Sequence, residues 1–266
     1  MNARPLVILA HGTRAPGARP VLERVSAQVA ALLPGVVVRH GYVEFQAPTA
    51  RQAFSGLHDP VVVPFFLGGG YHVLHDLPGL LAEHGSGTAT RHLGPEPAIV
   101  KVVADRLRWA AAGHGHGTAG LDGVVLAGSG SFRRRPVRET EQAAALLSQE
   151  LGLPVRPAYL AKTSPAAHEA VASWRQEGAR TIAVAPYLLA EGKFSRALHR
   201  SEAGFVAAPI GAHPAVARIV ARRYREAVGS GVGTELGSRL GSGVDFELGG
   251  EARGPADRHV VDCIPS

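Results

Sequence analysis

Three polar side chains follow short apolar runs: His11 after Leu6 to Ala10, Glu44 after Val36 to Val43, and His72 after Pro60 to Leu67 and three glycines. Two neutral imidazoles and a carboxylate suit a divalent transition metal of the iron, cobalt or nickel kind, and they equally suit general acid–base work near neutral pH. A single histidine after a strand is usually a structural hydrogen-bonder; joint placement of the three is what points to a site. The lone cysteine, Cys263, excludes an intramolecular disulfide framework, a multi-cysteine zinc site and an iron–sulfur cluster. Any metal is therefore held by His, Asp or Glu. Gly68, Gly69 and Gly70, just before His72, allow a backbone to come close to a flat or bulky ligand, and they equally suit a loop turning into a helix.

Apolar runs alternate with stretches of helical periodicity, which is how such residues come to share one rim. Strands are predicted over 6–10, 36–43, 60–67, 124–127, 155–160 and 181–189, and helices over 20–33, 49–57, 72–83, 97–112, 138–151, 166–176 and 215–228. This alternation argues a parallel sheet covered on both faces, with the ligand crevice outside the carboxyl ends of the strands. The two halves repeat each other. At an offset of 117, Leu9 to Thr13 fall on Leu126 to Gly130, Tyr42 on Tyr159 and Pro48 on Pro165; at 122, Val63 to Leu67 fall on Ala185 to Leu189. The fold class expected is therefore α/β, as two tandem three-layer lobes: residues 1–112, a Gly/His linker 113–121, residues 122–228, and a Gly- and Ser-rich tail 229–266 expected to be disordered. On that alignment Gly128, Ala161 and Phe194 oppose His11, Glu44 and His72. The asymmetry places an active site in the first lobe.

With 45% hydrophobic and 19% charged residues the chain reads as an ordinary globular protein. No run approaches the ~20 apolar residues that cross a bilayer, so neither a membrane nor a secretory leader is expected and the address reads as cytoplasmic. The six acidic residues and three arginines after residue 226 leave nine net positive charges on residues 1–226. Dispersed arginines, 6% aromatics and the lack of a recognised motif argue against nucleic acid as the partner. A polycarboxylate or phosphate ligand fits the charge, as does a merely solvated basic surface.

The segments LVILAHGTR, YVEFQAP and PFFLGGGYHVLHDLP together resemble the three signature segments of the class II sirohydrochlorin chelatases of the CbiX and SirB type, over about residues 5–226. The resemblance implies insertion of ferrous iron, cobalt or nickel into a tetrapyrrole clasped between two lobes, with the metal as co-substrate and no organic cofactor. It maps the family's functional positions onto His11, Glu44 and His72. Of these, His11 and His72 are taken as the pair that holds the metal and accepts protons, with Glu44 orienting an imidazole or accepting a proton beside them. Unperturbed histidines would put the acid limb of activity near pH 6.5. Arg14, Gly69, Gly70, Tyr71, Lys193 and Phe194 are the candidate substrate contacts, with Arg133 to Arg135 as further cations on the second lobe.

Other features carry less. His75 lies three residues after His72, a helical spacing that can bring both to one ion. His114 and His116 in the linker suit weak metal capture. Arg39-His40-Gly41 spells the triplet of the histidine phosphatases, but inside a predicted strand rather than at its end. The rival readings are a metal or tetrapyrrole carrier without turnover and, further off, such a phosphatase.

Overall fold

Two four-stranded parallel sheets are built by the same winding. The structure, a computed structural model, describes residues 3–15, 17–115 and 117–229. In the first lobe β1 (Leu6–Ala10), α1 (Arg19–Leu32), β2 (Val38–Tyr42), α2 (Ala50–Phe54), β3 (Val61–Pro64), α3 (Leu77–His84), β4 (Thr88–Ala89) and α4 (Pro97–Gly113) follow in order, with a π-helical turn His72–Asp76 opening α3. The second lobe repeats this as β5 (Gly123–Gly128), α5 (Arg134–Leu151), β6 (Val155–Tyr159), α6 (Ala167–Gln176), β7 (Ile182–Pro186), α7 (Lys193–Leu198), β8 (Phe205–Val206) and α8 (Pro214–Gly229). The sheets run β2-β1-β3-β4 and β6-β5-β7-β8. In both, the first strand is central and the order reverses beside it, which opens a crevice at the carboxyl ends. The short strands β4 and β8 and the helix α7 were not expected from the sequence.

Strand side chains alternate between two cores. Val7 and Leu9 face outward and pack with Val62 against Ala50, Ala53 and Phe54 of α2 and Leu77 and Leu81 of α3. Val125, Ala127, Ile182 and Val184 do the same against α6 and Leu198. The inward residues Leu6, Ile8, Val61 and Val63, and Val124, Leu126, Ala183 and Ala185, join one cluster with α1, α4, α5 and α8. Two helices are exchanged in that shared core. The helix that ends the first lobe, α4, packs on α5 and β7, while α8 at the end of the second packs on α1 and β3. Polar contacts pin the exchange: Arg222 and Arg223 of α8 reach Glu96 Oε2 at 2.9 and 2.8 Å. The Tyr224 hydroxyl also donates to the Arg4 carbonyl at 2.6 Å. Arg223 is 2% exposed, so Glu96 is what makes its burial tolerable.

The strand register corrects the repeat alignment by one residue. Leu6 pairs with Val38 and Val124 with Val155, so β5 follows β1 at an offset of 118 although β6 follows β2 at 117. Ser129, rather than Gly128, therefore opposes His11. The cause is a steric contact that sequence matching does not weigh. Gly12 and Gly130 both hold left-handed backbone, and a Cβ on either would lie 1.9 or 1.8 Å from the carbonyl oxygen of Glu44 or Ala161. The linker contains a turn of 3-10 helix, Thr118–Gly120, and the exposed His114 has its Nδ1 2.9 Å from the Ala110 carbonyl and its ring stacked on Phe205 at 5.0 Å. His116 and the tail beyond Gly229 lie outside the described residues.

A chain ending at Ala112 lacks the helix that covers α1 and β3. It is expected to lose cooperative thermal unfolding, measured by circular dichroism, and to regain it when residues 113–229 are co-expressed. A cooperatively folded 1–112 fragment would contradict the helix exchange as a condition of folding.

Candidate metal centre

His11, Glu44 and His72 come together at the carboxyl ends of β1, β2 and β3, each offering a ligand atom within 4.8 Å of the others. They are the one group of three or more His, Cys, Asp or Glu side chains among the described residues with that spacing. Backbone bonds fix the first two. Val43 N–H donates to the Ala10 carbonyl at 2.9 Å and Glu44 N–H to the His11 carbonyl at 2.8 Å, over the contact that only glycine at position 12 permits. The chain then turns through Phe45, itself left-handed at φ 63°, and returns to α2, whose start is capped by Thr49 and Gln52. Thus Glu44 follows from strand pairing and not from rotamer choice alone.

His72 opens the π-helical turn, closed by the Leu77 N–H on the His72 carbonyl. Such turns are uncommon and frequent at functional sites. Its ring lies 4.2 Å from that of His11, centroid to centroid, at 33°. Asp76, four residues on, accepts a hydrogen bond from His72 Nδ1 at 2.5 Å. This leaves His72 Nε2 as the lone-pair nitrogen, the arrangement that orients metal-binding imidazoles in general. The hydrogen bond that orients an imidazole, expected of Glu44, is made by Asp76 through a His-x-x-x-Asp spacing that sets both side chains on one helical face.

His11 is electrostatically unusual. Burial above all, then the neighbouring His72 and, less, Lys162 from the second lobe, lower its pKa to about 4 against the pull of Asp76. Its Nδ1 is buried and finds no hydrogen-bond partner among the described residues. Burial therefore keeps the imidazole neutral, with one ring nitrogen carrying a lone pair. Three donors ~2.1 Å from one ion stand roughly 3 to 3.6 Å apart, so a pair near the 4.8 Å limit closes by about an ångström when the ion binds.

The remaining candidates spread along the cleft. Arg14 lies over the Phe45 ring at 4.8 Å, and that ring meets His11 edge-on at 5.7 Å. Gly69 N–H is taken by Glu139 of α5 at 2.6 Å, and a Cβ there would press on Arg135 and His92. Gly70 faces open space. Tyr71 is half exposed and stacked on His75 at 4.7 Å, and His75 turns to Arg133 of the second lobe. Lys193 and Phe194 start α7 beside Ala15, which Gly192 approaches. Arg39, His40 and Gly41 lie inside β2, and Gly41 packs on Ala53.

The fold is that of a two-lobed α/β protein whose first lobe carries three side chains that could hold a metal ion. The CbiX family profile matches residues 5–110 and 123–227, and the chain belongs to that family. A sirohydrochlorin cobaltochelatase of Methanosarcina acetivorans is 33% identical over 89 residues, 31% of this chain and 68% of that protein. One of Methanopyrus kandleri is 35% identical over 81 residues, 29% of this chain and 57% of its own length. SirB from Bacillus subtilis with Fe3+ superimposes with a TM-score of 0.72 at 23% identity, over 84% of this chain and 95% of that one. A structure of CbiX, the terminal enzyme of siroheme biosynthesis in denitrifying bacteria, gives 0.65 at 21% identity, over 84% and 99%. These likenesses establish the shared fold. Among the described residues no helix is long and apolar enough to cross a membrane.

The burial of His11 replaces the ordinary value near 6.5 assumed from sequence. In metal-free protein its ring protons should titrate by NMR with a midpoint near pH 4. Because the unfolded chain would take up that proton earlier, the fold loses stability as pH falls from about 6.5 towards 4. A His11 midpoint at 6.5 would contradict the buried placement.

Proposed function

We propose that this protein is a sirohydrochlorin chelatase, inserting ferrous iron or cobalt into the macrocycle, and that His11, Glu44 and His72 carry the reaction. The observation that bears most weight is the convergence of these three donors on one lobe of a cleft. The names of the relatives supply the substrate.

Insertion exchanges two pyrrole N–H protons for one divalent ion, so the site must present the ion and remove the protons. His11, held neutral by burial, and His72, held with its Nε2 lone pair free by Asp76, present the ion to one face of the ring. Glu44 completes the set as a carboxylate, balancing part of the ion's charge and receiving one pyrrole proton as the ion leaves for the ring nitrogens, while the His72 Nε2 lone pair that the ion vacates receives the second. Loose ligation serves transfer, since donors that gripped the ion at ideal distances would compete with the macrocycle. Two histidines and a carboxylate accept iron or cobalt alike. Arg14, Gly69, Gly70, Tyr71, Lys193 and Phe194 stay in this reading as contacts to the ring and its carboxylates.

Anaerobic single-turnover mixing of ferrous iron or cobalt with sirohydrochlorin, followed by absorbance, tests the reading. His11→Ala and His72→Ala are expected to slow insertion at least 100-fold, and Asp76→Asn about 10- to 100-fold through the misdirected His72. Glu44→Gln should cost less than loss of either histidine. A wild-type protein that binds metal and ring without inserting would instead be a carrier. Undiminished rates in either histidine variant would remove that histidine from the mechanism.

A further inference from the structure

The second lobe offers no counterpart of the three donors: Ser129 and Ala161 stand where His11 and Glu44 do. What it presents is different. Phe132, in the turn between β5 and α5, is 83% exposed, the most exposed large apolar side chain among the described residues. Its ring is open to a flat ligand, for which an aromatic face is a stacking surface. Lys162 Nζ stands 5.5 Å over the Phe132 ring, on the segment that matches Phe45 of the first lobe and in the same left-handed backbone, φ 65° against 63°. Arg133, the next residue after Phe132, crosses to the first lobe. Its Nη2 donates to His75 Nε2 at 3.0 Å, and its guanidinium lies 5.8 Å over the Tyr71 ring. Among the described residues no carboxylate pairs with Arg133 or Lys162, in contrast to Arg135, Arg156 and Arg223, each of which has a glutamate.

We propose that Phe132, Arg133 and Lys162 are the specificity residues of the second lobe, selecting a planar macrocycle rimmed by carboxylates, with His75 and Tyr71 as positioning residues for Arg133. The Phe132 ring lies on the face of the macrocycle opposite the metal donors. Arg133 and Lys162, on either side of it, each take a peripheral carboxylate. Guanidinium carries five donors, of which His75 engages one, so the rest are available to a carboxylate in a direction already set. His75 thus faces Arg133 rather than the ion, which accounts for a histidine so close to His72 that stays outside the metal set. The wall differs from the Lys193 and Phe194 pair expected from sequence.

This inference rests on the chelatase reading, and the test separates the two. Metal-free sirohydrochlorin binding is measured by fluorescence quenching, with cobalt binding at the His11 and His72 site as a control for folding. Arg133→Gln and Phe132→Ala are each expected to weaken ring binding about 5- to 10-fold and leave cobalt affinity unchanged, and Lys162→Asn, which tolerates left-handed backbone, to weaken ring binding as much while cobalt affinity holds or rises with the loss of a cation acting on His11. The two charge variants should lose that difference in high salt or when the ring is supplied as its methyl ester. His75→Ala should weaken binding less, His75→Gln should restore it, and the loss on His75→Ala should vanish in the Arg133→Gln background. Wild-type insertion with all three variants binding the ring normally would overturn this wall and leave the chelatase reading intact. Failure of the wild type to bind sirohydrochlorin at all would overturn both.

Discussion

Neither sheet can bury its inner face with helices of its own lobe. Leu6, Ile8, Val61 and Val63 need α8, and Ala183 and Ala185 need α4, so the exchange of these two helices is the constraint on which the remaining architecture depends. A parallel sheet has to be covered on both sides, and half of each cover is supplied from the other half of the chain. Swapping the terminal helices turns two small domains, each with a marginal core, into one with a continuous interior. It also sets the spacing of the two carboxyl-end rims before any ligand arrives.

That spacing gives the cleft its division of labour. On one side, backbone pairing between β1 and β2 places His11 and Glu44 as a unit, and a π-helical turn with Asp76 aims His72 at them. These are rigid supports for weak ligands, the combination that a protein handing an ion onward requires. On the other side stand an exposed ring and two unpaired cations. The Gly-rich loop before His72 is tied to α5 through Gly69 and Glu139, so the element carrying His72 is referenced to the opposite lobe. His75 and Arg133 make a second tie close by.

Much of this is legible in the sequence because it is local. Strand and helix periods, the internal repeat and the three rim residues all follow from side-chain type and spacing, and the resemblance carried by LVILAHGTR, YVEFQAP and PFFLGGGYHVLHDLP gives them a chemistry. What escapes is set by partners far along the chain. Periodicity says that α8 has an apolar face but not that Val216 and Val220 meet the first lobe. Strands of two residues, β4 and β8, carry no period at all. The one-residue slip between His11 and Ser129 arises because a backbone contact under Gly12 and Gly130 sets the register, while residue matching favours Leu9-Ala10 over Leu126-Ala127. Asp76 is not legible in the sequence because a carboxylate one helical turn from a histidine reads as surface charge until the hydrogen bond is seen. Lys162 and Phe132 become visible only when the second lobe faces the first.

In the proposed reaction one ion sits on the first lobe, facing a wall without metal donors. Anomalous diffraction at the cobalt edge from crystals of the full chain soaked in Co2+ tests it most directly. A single strong peak is expected within bonding distance of His11, Glu44 and His72, absent from crystals of the His11→Ala variant. A principal peak on His75, on His114 or anywhere on the second lobe would contradict it.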